Sequence, residues 1–377
     1  MMIDRRELLT LSAAALTTVA AGPARARTSS DNPMDNWIIV NALGGLGDPN
    51  LPGDSLVPDL SPRVLAEAHA SGLTMVNITL GYVSGPEEPF EASVRDIAAT
   101  DRLIREHAAE VTKILSVADI RKAKTDGKIG LLYGFQNGAM MGNDASRVDV
   151  FANLGVRVFQ LTYNPANQIG DGSMASQNRG LTPFGREVVA RLNEQRVMVD
   201  LSHSGEQTCL EAARISRAPI SINHTGCRAL VDLPRNKTDA ELRLVAERGG
   251  FVGIYFMPFV NKTGHARAED VVAHIDHAVK VCGEDHVGIG TDGDVSQIDD
   301  LDAYQAALAK EVAERRAAGI SAAGERPDTY PFVIDLRGPD QFQKLIRLLQ
   351  AKGYSQNRIE KIMGLNFLRY AQDVWGA

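Results

Sequence analysis

Short apolar runs rich in β-branched residues recur along the chain, and segments with helical spacing separate them. The runs are WIIVNAL (37–43), LTMVNITL (73–80), IGLLYGF (129–135), VRVFQLTY (156–163), 197–202, 220–223, FVGIYF (251–256) and VGIGT (287–291). Helical patterns occupy 62–71, 90–110, 118–123, 147–154, 182–195, 205–216, 239–247 and 268–281. Eight strands alternating with helices predict an α/β fold, a (β/α)8 TIM barrel. An open doubly wound sheet is the alternative, but it would want a glycine-rich phosphate turn after its first strand. Gly44-Gly45-Leu46-Gly47 matches that turn poorly and has no helix behind it. Beyond the eighth strand the pattern predicts a helix over 301–318, an extended piece at 332–334, and amphipathic helices over 341–352 and 356–374. These are extra C-terminal helices against the barrel wall.

The most informative stretch is VMVDLSHSGEQTCLEAARISRAPISINHTGCRALVDLPRN (197–236). Strand, helix, strand makes a βαβ unit with parallel strands. One strand closes on His203 and the next on His224. Adjacent strands lie about 5 Å apart, so two imidazoles at one level can share a metal ion. Catalytic residues of such barrels gather at the C-terminal strand ends. Those ends also carry Gln136, Tyr163 and Asp292, with Arg235 just beyond the sixth strand. Asp292 suits a general acid or base, a holder of nucleophilic water, or a metal ligand. Arg235 suits bidentate capture of a substrate carboxylate, and a surface pair with Asp232 or Asp239 is its structural alternative. His274 and His277 share one helix face away from the mouth and read as packing residues. His286 opens the eighth strand at the opposite end of the barrel.

Residues 1–26 read as an export signal: Arg5-Arg6, an apolar stretch, then Ala24-Arg25-Ala26 as a cleavage site. The paired arginines resemble a twin-arginine signal, which implies a periplasmic or exported protein. No cysteine follows for a lipid anchor. Residues 27–36 are a polar lead-in, and 37–377 a single barrel domain. The formal net charge of −7 and the lack of a basic patch argue against nucleic acid as a partner. Three cysteines without CxxC spacing read as buried thiols.

GFQN (134–137), LTYNPAN (161–167), GLTPFGREVV (180–189), DLSH (200–203), NHTGCRAL (223–230), PRNKTD (234–239), ERGGFVGI (247–254), HVGIGTD (286–292) and GLNFLRY (364–370) resemble the membrane (renal) dipeptidases, peptidase family M19. GFQN and LTYN resemble a bacterial branch of that family. The resemblance implies a two-zinc barrel that hydrolyses dipeptides, often as a homodimer. It makes His203 and His224 the ligands of one zinc. Asp292 becomes the strand-eight aspartate that ligates the other and handles protons, and Arg235 the arginine for the substrate's carboxylate. The family's first strand ends in His-x-Asp, where this chain has Leu43 and Gly45. Its bridging glutamate is matched by Gln136, and the histidine of its LTH motif by Tyr163. The expectation is therefore a dipeptidase-like hydrolase with one zinc on His203, His224 and Gln136. Asp292 would be the base, Tyr163 an oxyanion donor that also binds substrate, and Arg235 the carboxylate anchor. Two other readings stand beside it: a metal-poor tailoring enzyme for an exported peptide-like metabolite, and a silent periplasmic binding protein.

Overall fold

The computed structural model describes residues 36–51 and 57–376. The expected export signal and nearly all of the expected polar lead-in lie outside these residues. The strands are β1 (Val40–Gly44), β2 (Met75–Thr79), β3 (Val111–Ile114), β4 (Ile129–Phe135), β5 (Val156–Gln160), β6 (Met198–Asp200), β7 (Ser221–Thr225), β8 (Phe251–Ile254) and β9 (Val287–Ile289). All pairs are parallel, in the order β1-β2-β4-β5-β6-β7-β8-β9. Helices alternate with these strands, giving the (β/α)8 barrel that the hydrophobic pattern predicts.

The ninth strand is an addition. β3 pairs with the first half of β4, Val111 opposite Ile129 and Ile114 opposite Leu132, while β5 takes the second half from Tyr133 onward. Its sequence, VTKI, is short and half polar, and only Val111 and Ile114 are buried. A period-2 pattern over four residues is too brief to stand out after a long helix. That helix, Pro89–Glu106, stops short of residue 110.

The barrel closes between β1 and β9 through a side-chain clasp. The Thr291 N–H donates to Asn41 Oδ1 (2.8 Å), and Asn41 Nδ2 donates to Thr291 Oγ1 (2.8 Å). One residue on, the Asp292 N–H donates to the Leu43 carbonyl (3.0 Å). Asp292 sits at φ +58°, a left-handed conformation that aspartate tolerates better than most residues. The clasp thus fixes where the Asp292 carboxylate can go.

The opposite end of the barrel is plugged by the C-terminal helices. Phe367, Leu368, Tyr370, Ala371, Val374 and Trp375 join the core formed with Val40, Met75, Met198 and Phe251. The expected helix over 356–374 is broken into Gln356–Glu360, a π-helical turn at Lys361–Leu365, and Asn366–Trp375. The turn carries Gly364 past Ile38, whose carbonyl oxygen would lie 2.2 Å from any Cβ there. Residues 332–334 form no strand. They belong to the loop between the helices Leu301–Ala317 and Gln341–Ala351, which crosses the barrel mouth. No described helix is long and apolar enough to cross a membrane.

Replacing Asn41 by alanine removes both clasp hydrogen bonds and leaves a buried N–H on Thr291. The expected loss is about 2–4 kcal/mol, read as a lower denaturant midpoint with unchanged slope. A loss under about 0.5 kcal/mol would show that the seam is held elsewhere.

Candidate functional site

The DLSH segment is built around one buried carboxylate. Asp200 Oδ1 accepts from the Ser202 N–H (3.0 Å), the Ser202 hydroxyl (2.5 Å) and the Asn223 N–H (3.0 Å). The Ser202 hydroxyl in turn accepts from the His224 N–H (3.0 Å). These bonds lock the end of β6 to β7 and set both histidines at one level. His203 Nε2 and His224 Nε2 then lie 2.9 Å apart.

Asn164 orients the first imidazole. Its Nδ2 donates to the Ile320 carbonyl (2.8 Å), so its Oδ1 faces His203 Nδ1 at 2.7 Å. His203 therefore carries its proton on Nδ1, and its Nε2 accepts from His224. Burial holds both rings well below the usual histidine range, and the nearby Arg235 charge adds to the effect. Tyr163 stacks on His203, ring centroids 4.3 Å apart, and caps the pair.

The PRNK segment supplies two buried cations. Arg235 is 1% exposed, and its Nη1 donates to the Ser202 carbonyl. Asp232 pairs with Arg228 and Asp239 with His277, so neither neutralises Arg235. Lys237 Nζ donates to the Ser204 carbonyl and pairs with the buried Glu241 (3.4 Å). Asn236 pins the segment by donating to the Val231 and Phe259 carbonyls (2.8 and 2.9 Å). His274, buried in its helix, accepts from the Cys227 N–H (2.8 Å), a packing role as expected. The three cysteines are buried thiols.

Two cavities meet at Asp292. The larger, about 300 Å³, has Tyr163, Asp292, Arg315, Phe332 and Arg337 on its wall. The smaller, about 210 Å³, is bounded by Leu43, Gly45, Thr79, Gln136, Asp292 and Asp294. Burial raises the Asp292 carboxyl to about 6, even though Arg235 and Arg315 pull it down. Tyr163 Oη accepts from Arg315 Nη2 (3.3 Å), and Arg315 is held by Glu325 through two bonds of 3.0 and 2.9 Å. The structure thus brings Asp292 and Tyr163 to the larger cavity and Gln136 to the smaller. It leaves His203, His224 and Arg235 buried off both walls.

Residues 62–322 match the membrane dipeptidase family, peptidase family M19. The chain belongs to that family. A protein of Klebsiella pneumoniae known only as an uncharacterised product of the pqqA 5′ region is 27% identical over 303 residues, 78% of this chain and 99% of its own. Dipeptidase tcpJ of Claviceps purpurea is 28% identical over 291 residues, 75% of this chain and 61% of its own. Among solved structures, an amidohydrolase from Pseudomonas aeruginosa has a TM-score of 0.77 at 32% identity, covering 91% of this chain and 98% of its own. A metallo peptidase from Rhodobacter sphaeroides, solved with a phosphinate mimic of the dipeptide L-Ala-D-Ala, has a TM-score of 0.68 at 21% identity, over 90% of this chain and all of its own. At that identity the likeness is one of fold. By family the protein is a metallodipeptidase-like hydrolase.

The residues present do not fit the family's metal. Among the described residues no group of three or more His, Cys, Asp or Glu is placed to hold an ion. Leu43 and Gly45 offer no ligand, and the room beside Gly45 is taken: Asp294 Oδ1 lies 2.4 Å from where a Cβ would sit. Gln136 Nε2 donates to Thr79 Oγ1 (2.6 Å), which holds the side chain at the wall of the smaller cavity and leaves its amide oxygen outside that bond. The histidine pair is closed. A tetrahedral zinc with bonds of about 2.0–2.1 Å holds two nitrogens about 3.3 Å apart, and these are at hydrogen-bond distance. A ligating histidine normally donates its other N–H to an acceptor; His203 does so to Asn164, whereas His224 Nδ1 is buried without a partner. Of the expected one-zinc set the structure brings His203 and His224 together and puts Gln136 on the wall of the smaller cavity.

Sequence reasoning places Asn164 and Asp294 at strand ends of the working face without a role for either, and it misses Arg315. Arg315 lies on a helix beyond the barrel, where no local pattern marks it.

A raised carboxyl has a consequence for stability. The native state keeps a proton that the unfolded Asp292 releases, so its contribution falls as pH rises from about 4 to about 6 and then levels off. Asp292→Asn removes that dependence. The variant is expected to gain at most about 3 kcal/mol over wild type at pH 8 and almost nothing at pH 4, measured by denaturant unfolding at both pH values. A loss of stability at pH 8 would contradict this.

Proposed function

We propose that the protein acts on dipeptides or similar small carboxylate-bearing amides in the larger cavity, by acid–base chemistry and without a resident metal. The observation that carries this is Asp292, a shielded carboxylate on the cavity wall that Tyr163 also lines. Family membership supports amide hydrolysis as the reaction class. The Asp292 carboxylate takes a proton from a water molecule as that water attacks the scissile carbonyl. The Tyr163 hydroxyl, its oxygen already bonded by Arg315, donates to the oxyanion that forms. The protonated Asp292 then returns its proton to the departing amine, whose loss breaks the C–N bond. The closed histidine pair supports Tyr163 from below by stacking.

The capped pair and the buried Arg235 favour one second reading, a binding protein that does not hydrolyse its ligand. A panel including L-Ala-L-Ala and L-Ala-D-Ala, assayed with and without EDTA, separates the two. The proposal expects turnover that EDTA leaves intact. It expects Asp292→Asn to lower kcat by about 10²–10⁴, and Tyr163→Phe to lower it by roughly 10–10² with KM little changed. Binding without turnover, with or without added zinc, would favour the second reading.

A further inference from the structure

The larger cavity has two sides. Barrel strand ends, Tyr163 and Asp292 among them, form one, and the segment that crosses the mouth forms the other, with Leu308, Arg315 and Glu325. The far part of that segment is firmly seated. Val333 and Leu336 are buried, and Asp335 accepts from the Ala268 N–H (2.8 Å). The near part, an arm over residues 301–325, is lightly seated. Its helix Leu301–Ala317 buries only Leu308 and Val312, a small apolar contact for a helix of that length.

Polar bonds bring this arm onto the reaction site. The helix ends where Gly319 takes φ +68°, a left-handed turn that suits glycine. The reversal carries Ile320 back to the barrel, where its carbonyl accepts from Asn164 Nδ2 (2.8 Å). Arg315 makes the second link. Its Nε and Nη2 donate to the two oxygens of Glu325 (3.0 and 2.9 Å), and Nη2 also donates to Tyr163 Oη (3.3 Å). Nη2 carries two hydrogens, so the last two bonds do not compete. Glu325 is itself fixed by the Ala322 N–H (2.9 Å). A planar guanidinium gripped through two parallel bonds has a set direction. A phenol oxygen that accepts from it must point its own hydrogen away from Arg315.

We propose that Arg315 is a positioning residue of the reaction, carried by the arm to Tyr163 and there directing the hydroxyl that donates to the oxyanion. The inference rests on reading the larger cavity as the substrate site, and it deepens that reading. The oxyanion donor is complete only while the arm is docked on the barrel mouth. Arg315 acts through Tyr163 and not on the substrate.

Two measurements on the full chain test this. The first is a kinetic cycle with L-Ala-L-Ala. Arg315→Met is expected to lower kcat about tenfold with KM within about twofold of wild type, and Arg315→Lys to restore part of the loss. In a Tyr163→Phe background, Arg315→Met lowers kcat by less than about twofold, because the group it acts through is gone. The second is amide hydrogen exchange of peptides covering 318–326, which needs no turnover. Tyr163→Phe alters only the barrel, yet it is expected to speed exchange there about tenfold while β4 and β5 keep wild-type rates. A pair that merely braces the arm from within predicts no change. Melting temperatures check that each variant is folded. Independent effects of Arg315→Met and Tyr163→Phe on kcat, or exchange at 318–326 indifferent to Tyr163→Phe, overturns the inference. Either result in an enzyme that turns over leaves the proposed function standing. Absence of turnover, with exchange that responds to Tyr163→Phe, defeats the proposed function and leaves the link between arm and Tyr163 standing.

Discussion

The Asp200 carboxylate is the constraint from which the centre of the barrel follows. It sits in the interior at 1% exposure, and burial pushes its carboxyl upward against three hydrogen bonds that hold it charged. A buried carboxylate is tolerable only when its lone pairs are answered. Here the answer is the backbone of residues 202 and 223 and the Ser202 hydroxyl. Those same bonds fix the level of His203 and His224, turn the Ser202 carbonyl toward Arg235, and expose the Ser204 carbonyl to Lys237. One aspartate thereby organises two histidines and two buried cations.

The electrostatic balance around that framework differs from that of a two-metal centre. The resemblance to the family would match its bridging glutamate and strand-one aspartate to Gln136 and Gly45, neither of which carries a charge. What remains is two imidazoles held well below the usual range by burial first, with Arg235 and Lys237 adding to the effect on both and Arg315 on His203 alone. Of these cations Lys237 is paired with Glu241 and Arg315 with Glu325. Asp294 occupies the space beside Gly45 and accepts from the Gly47 N–H (2.9 Å), so the vacated corner has been rebuilt around another carboxylate. In the proposed function the chemistry lies at the cavity that Asp292 and Tyr163 share, outside the histidine pair.

Much of this was legible in the sequence because strand and helix periods are strong signals in a parallel barrel. The eight wall strands, the βαβ unit and the convergence of His203 with His224 follow from apolar runs and their spacing. The strand-end position of Asp292 follows in the same way. β3 was not legible, since VTKI buries only two side chains and fills half a seam. Nor was the closure of the histidine pair, because spacing shows that two side chains meet but not whether a third ligand joins them. Arg235 illustrates a further limit. Its place near the mouth could be read from the PRN motif, but its burial depends on the Ser202 carbonyl at the end of the neighbouring strand. Arg315 and Arg337 come from segments whose path over the mouth is set by tertiary packing, and no local pattern announces them.

The central claim is that the closed histidine pair does not serve as a resident metal site. Metal analysis of the purified chain after dialysis against excess zinc, followed by metal-free buffer, tests it directly. The account predicts well under one zinc per chain, with the same value for His203→Ala. Two zinc ions per chain, lost on replacing His203, would contradict it.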